Sequence, residues 1–78
     1  MAEIVLYRDN MVELDFKMPK TLKNLVEEAD QFYEAGDWFW YDIRCSEIET
    51  TSKQEMLCGL ISQESLKKVW KRYGINYD

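Results

Sequence analysis

Histidine is absent from this chain, and cysteine, glycine and proline are scarce: two, three and one in 78 residues. Without histidine there is no imidazole general base, no triad built on one and no His-ligated zinc. Two thiols cannot make a four-thiolate metal site. So little Gly and Pro, with 46% hydrophobic residues, describes a compact folded chain rather than a disordered tail. Long apolar runs are missing too. Ile4-Val5-Leu6-Tyr7 is too short for a membrane span, and Met1-Ala2-Glu3 lacks the basic start of a leader, so neither is expected.

Positive charge is in deficit. Ten Lys and Arg stand against fifteen Asp and Glu, a net −5. Nucleic acids and anionic membranes are bound largely through basic residues, so both are disfavoured as partners. The deficit is also localised. From Glu27 to Glu55 nine acids face two bases, whereas residues 61–78 carry four bases and two acids. An acidic middle suits a larger, basic protein partner, although such a face is often only solvated.

Seventy-eight residues make one domain, 1–78, with a small core in which every large apolar residue counts. Val12, Leu14 and Phe16 alternate with Glu13, Asp15 and Lys17, and Arg8-Asp9-Asn10 is a turn candidate. That period of two, after Ile4–Tyr7, predicts a β-hairpin over 1–18. Pro19 closes it. A two-stranded hairpin needs support, so its apolar side is expected to pack on the helices.

Thr21, read as an N-cap, opens a helix over 21–35 with Leu22, Leu25, Val26, Ala29, Phe32 and Tyr33 on one face. Gly36 fits its left-handed C-cap, and Asp37 caps a second helix over 38–58. Ser62 and Gly74 bracket a third over 63–73, with Leu66, Val69, Trp70 and Tyr73 inward. The expected fold is mainly α, in the α+β sense: a three-helix bundle with a short N-terminal hairpin packed on it.

The second helix is apolar on two sides. Trp38, Tyr41, Cys45, Ile48, Ser52 and Met56 share one face; Phe39, Ile43, Thr50 and Leu57 share another, roughly opposite. A helix of this kind is sandwiched between neighbours. The first face suits helices one and three; the second suits the hairpin or a second chain. Thirteen residues of helix hold Cys45 and Cys58 about 20 Å apart, which excludes a disulfide between them. Two reduced, packed thiols suit the cytoplasm.

Trp38-Phe39-Trp40-Tyr41 runs nearly the whole way round the helix, so the domain cannot bury all four rings unless the hairpin folds over them. Trp40 lies between the two faces and is expected in solvent, where Trp often anchors an interface. Asp30 and Glu34 line helix one, and Asp42, Glu47 and Glu49 line helix two. These five acids and Trp40 are the expected partner-binding residues. No catalytic, cofactor or metal site is expected, because the acids lack both the cleft of a carboxylate pair and the central Gly of a calcium loop.

The segments LVEEADQFYEAGDWFWYD and ISQESLKKVWKRYGI, within Thr21–Ile75, resemble small acidic helical proteins of bacterial phages and other mobile elements. Some of those inhibit host defence, including anti-CRISPR proteins that block nucleic-acid-binding effectors. The resemblance lies in size, acidity and helical style, and it implies a protein-binding inhibitor or adaptor. Two alternatives stand beside that. One is a homodimer through the second face of helix two; the other is weak DNA binding through Lys67, Lys68, Lys71 and Arg72.

Overall fold

A computed structural model describes residues 7–75. It is mainly helical: α1 (Lys20–Ala35), α2 (Trp38–Leu57) and α3 (Gln63–Tyr73), with no strand among the described residues. α2 is the central rod. α1 and α3 both pack against it, and they are joined to each other by side chains and by the segment before α1.

Local chemistry sets the helix ends. Pro19, not Thr21, is the residue before the first helical turn of α1. No side chain caps that end, and the Pro19 carbonyl takes the first helical bond from Lys23 N at 2.9 Å. A residue with no N–H to satisfy and a fixed φ suits a helix start. Gly36 then turns the chain at φ 73°, with its N–H on Tyr33 O, and the Asp37 carboxylate accepts from Trp40 N at 3.3 Å to open α2. Ser62 opens α3 by accepting from Ser65 N at 3.1 Å.

The core follows the heptad-like spacings. Leu22, Val26 and Ala29 come from α1, Tyr41 and Ile48 from α2, and Leu66, Val69, Trp70 and Tyr73 from α3, with Ile61 closing the loop between the last two. Leu22, Ile48, Leu66 and Val69 are almost fully sealed, and each such side chain contributes about 1.5–3 kcal/mol of burial free energy. One polar contact crosses this core. Trp70 Nε1 donates to Ser52 Oγ at 2.8 Å, and the Ser52 hydroxyl donates to the Ile48 carbonyl one turn back. Both partners are buried, so the indole N–H has somewhere to go without water.

The expected hairpin does not form among the described residues. Its Ile4–Leu6 half lies outside them. The other half, residues 11–18, leaves a turn at Met11, bends at Phe16 and alternates in burial: Val12, Leu14, Phe16 and Met18 turn inward, and Met11, Glu13, Asp15 and Lys17 face water. The period of two is therefore real, but a helical groove satisfies it instead of a second strand. The segment forms a strap between α1 and α3, running antiparallel to both, with Leu14, Phe16 and Met18 packed against the core.

Polar contacts fasten this strap along its length. Asp9 N donates to Arg72 O at 2.7 Å, Arg72 Nη1 donates to Val12 O at 2.8 Å, and Lys68 pairs with Asp15 at 2.9 Å. At its start the Tyr41 hydroxyl donates to the Tyr7 carbonyl. The Tyr7 ring lies over Gly74, where an added Cβ would meet Tyr7 Cδ1 at 2.7 Å. Gly74 is thus required twice, by a φ of 70° and by that close approach.

Candidate interaction surface

Of the four consecutive rings that open α2, only Tyr41 is buried. Its ring packs near those of Tyr33 and Tyr73. Trp38, Phe39 and Trp40 are 47%, 50% and 44% exposed. Trp38 was expected beside Tyr41 on the inner face. The rotation is right, but Trp38 is the first residue of α2, just past the Gly36 turn that ends α1, and about half of it stays in solvent. Trp40 is in solvent as expected, yet not alone: its indole stacks on Phe32 at 6.3 Å between centroids, and the Arg44 guanidinium lies 5.9 Å from it. Phe39 meets both tryptophans edge-on. The result is an aromatic cap at one end of the molecule.

The structure separates the five candidate acids into two groups. Asp30 and Glu34 are engaged by the strap. Arg8 reaches Glu34 Oε1 at 2.6 Å and Asp30 Oδ1 at 3.4 Å, with its guanidinium 4.2 Å from the Tyr33 ring centroid. Asp30 also accepts from the Tyr73 hydroxyl at 2.8 Å and pairs with Arg72 at 3.4 Å. Asp30 is accordingly the junction of α1, α3 and the strap. Burial raises the Tyr73 hydroxyl above its ordinary value and keeps it protonated as the donor. Glu47 pairs with Arg44, whose Nε also reaches Glu28 of α1 at 2.7 Å.

Asp42 and Glu49 form the second group. Neither has an ion pair among the described residues. Both acids rim a shallow groove between α2 and the end of α3, with Cys45, Ser46 and Gly74. Burial pushes the Cys45 thiol up to about 11. The candidate residues therefore do not make one patch. Trp40, Asp42 and Glu49 remain available on α2, while Asp30 and Glu34 tie the strap to α1 and Glu47 is paired with Arg44 on its own helix.

Sequence reasoning missed the partners of these acids. Arg8 and Arg72 stand 22 and 42 positions from Asp30, and the strap path that joins them has no local signal. Of the four basic residues of α3, Arg72 turns inward to Asp30 and Val12, whereas Lys67, Lys68 and Lys71 stay exposed, Lys68 in an ion pair with Asp15.

The outer face of α2 is uncovered. The strap lies on the far side of the molecule from it. Phe39, Ser46, Thr50, Lys53 and Leu57 are exposed, Leu57 to 71%, and Ile43 is half-buried. Among the described residues no helix is long and apolar enough to cross a membrane, and no cluster of three or more His, Cys, Asp or Glu is placed to hold a metal. No protein-family profile, curated protein or solved structure matches the chain.

Proposed function

We propose that this protein acts without catalysis, as an inhibitor or adaptor that seats the aromatic end of α2 and its acidic flank on a larger, basic protein. One observation carries the reading: Trp38, Phe39 and Trp40 lie side by side in solvent, next to an unpaired Asp42. Large rings grouped in this way are what a binding partner desolvates for most of its affinity. Unpaired carboxylates beside them add electrostatic steering and orientation. The resemblance to phage and mobile-element inhibitors suggests the partner class, a host-defence effector whose nucleic-acid surface is basic.

The test is capture of partners from host extract with the wild type, Trp40→Ala and Asp42→Lys, at low and high salt. The expected result is a basic protein retained by the wild type at low salt and released by either substitution or by salt. A retained set that is indifferent to both substitutions and to salt overturns the proposal.

A further inference from the structure

We infer that the groove between the start of α1 and the end of α2 is a binding site for a primary ammonium group, carried by a lysine side chain or by a free amine. The groove has a volume of about 330 Å³ and is lined by Thr21, Thr51, Gln54, Glu55, Cys58 and Leu60. It goes beyond the protein-binding reading above. Glu55 stands 15 residues along α2 from Trp40, about 22 Å from the aromatic end.

Glu55 is what marks this groove. The residue is only 8% exposed, and its Oε1 is sealed with no hydrogen-bond partner. Among the described residues Arg44 Nε is the other such atom, but it lies 2.7 Å from Glu28 Oε2 and is paired in charge. No described Lys or Arg forms an ion pair with Glu55. Buried carboxylates are ordinarily paired, and a bare one weakens the fold. A ligand that brings the missing donor and the opposite charge binds the folded state and restores what the bare group costs.

The surroundings choose the ligand. Thr21 comes from the first turn of α1, and Thr51 and Gln54 from the last two turns of α2. Their side-chain oxygens can accept from both sides of the groove. That setting suits a compact charge with three donors better than the flat fork of a guanidinium. Leu60, 61% exposed, offers apolar surface to an aliphatic stem. A metal ion is a poor match, because Glu55 and Cys58 are the two strong ligands in the groove and a protein-held ion needs more. An anion is opposed by the carboxylate itself. Thr21, Gln54, Cys58 and Leu60 are exposed and lie outside the core, so they can move aside to let a ligand reach Glu55.

NMR titration of the isotope-labelled full chain tests this with three probes. They are n-butylamine, Nα-acetyl-lysine N-methylamide, and the Nε-trimethyl form of the latter, which keeps the charge and loses the N–H donors. The first two are expected to shift the amides of Thr21, Thr51 and Glu55 with about millimolar affinity. The trimethyl form should bind at least about tenfold more weakly. Glu55→Gln keeps the shape and removes the charge, and should weaken both amines at least about tenfold. Glu27→Gln makes the same charge change at an exposed site on α1 and should leave binding as it was. A tighter lysine derivative assigns the site to a protein lysine; an equal or tighter butylamine assigns it to a free amine.

Absence of saturable shifts at these residues, equal binding of the trimethyl form, or binding that survives Glu55→Gln overturns the inference. An equal loss in Glu27→Gln also overturns it, in favour of general attraction to an acidic chain. None of these outcomes involves Trp38–Trp40, so the proposed function stands or falls separately.

Discussion

Ser52→Ala is the sharpest test of how the core is held. Ser52 is 0% exposed and Trp70 7%. Their 2.8 Å contact is a side-chain hydrogen bond between α2 and α3 inside the core. The substitution removes few atoms, so the cavity cost is small. The main loss is the acceptor: the buried Trp70 N–H loses the Ser52 hydroxyl, at a cost of about 1–3 kcal/mol. A chain of 78 residues has a total stability of about 4–12 kcal/mol. The change is therefore a sizeable fraction of the whole and lowers Tm by roughly 5–20 °C. Urea unfolding followed by helical circular dichroism measures it. Trp70→Phe supplies the control, because it removes the donor and leaves the Ser52 hydroxyl bonded to the Ile48 carbonyl. In that background Ser52→Ala should cost less than about 0.5 kcal/mol, a coupling expected only of residues in direct contact. An equal cost in both backgrounds refutes the argument.

The remaining predictions concern the strap, the buried acid and the thiols. Asp30→Ala removes the junction of Arg8, Arg72 and Tyr73; it should cost about 1–3 kcal/mol and speed tryptic cleavage at exposed Lys17 while the helical signal persists. Glu55 is 8% exposed, its Oε1 has no hydrogen-bond partner, and burial raises its carboxyl above the ordinary 4.5. The folded state then holds this proton more tightly than the unfolded one, so its contribution is full below pH 4.5 and is lost as pH rises through the folded value. Glu55→Gln should accordingly stabilise the protein at pH 7, with the gain over wild type closing in acid; a constant difference across a pH series of urea melts contradicts this. Cys58 is exposed, whereas Cys45 is half-buried with its thiol raised to about 11. A thiol reagent at neutral pH should modify Cys58 rapidly and Cys45 only on unfolding, as mass spectrometry of the folded protein will read.

The interplay of strap and acids explains where sequence reasoning succeeded and where it fell short. Helices α1 and α3 each have one apolar stripe and a glycine at the end, signals carried by neighbours three and four positions apart. Ser62 and Asp37 act as caps through contacts that span three residues. The N-terminal segment was harder. Its alternation correctly marks which side chains turn inward, but alternation is the same whether the inward side meets a strand or a groove between helices. Only the placement of α1 and α3 chose the groove. The aromatic run shows the same limit, since a helical wheel gives Trp38 a direction and cannot say that its neighbour has already ended.

The amino-acid order by itself determined the number of helices, the side-chain caps that open α2 and α3, the two-sided character of α2 and the acidic balance of the middle of the chain. Each of these depends on composition or on spacing within a few turns. Tertiary structure decided which acids of α1 are engaged. Asp30 and Glu34 meet Arg8 across 22 and 26 positions, whereas Glu47 meets Arg44 within its own helix and Asp42 and Glu49 meet no cation among the described residues. It also decided which side of α2 stays open, because one helix cannot be covered on opposite faces by two helices and a strap that all gather on one. Charge and greasiness belong to residues; whether they face water or one another is a property of the packed chain.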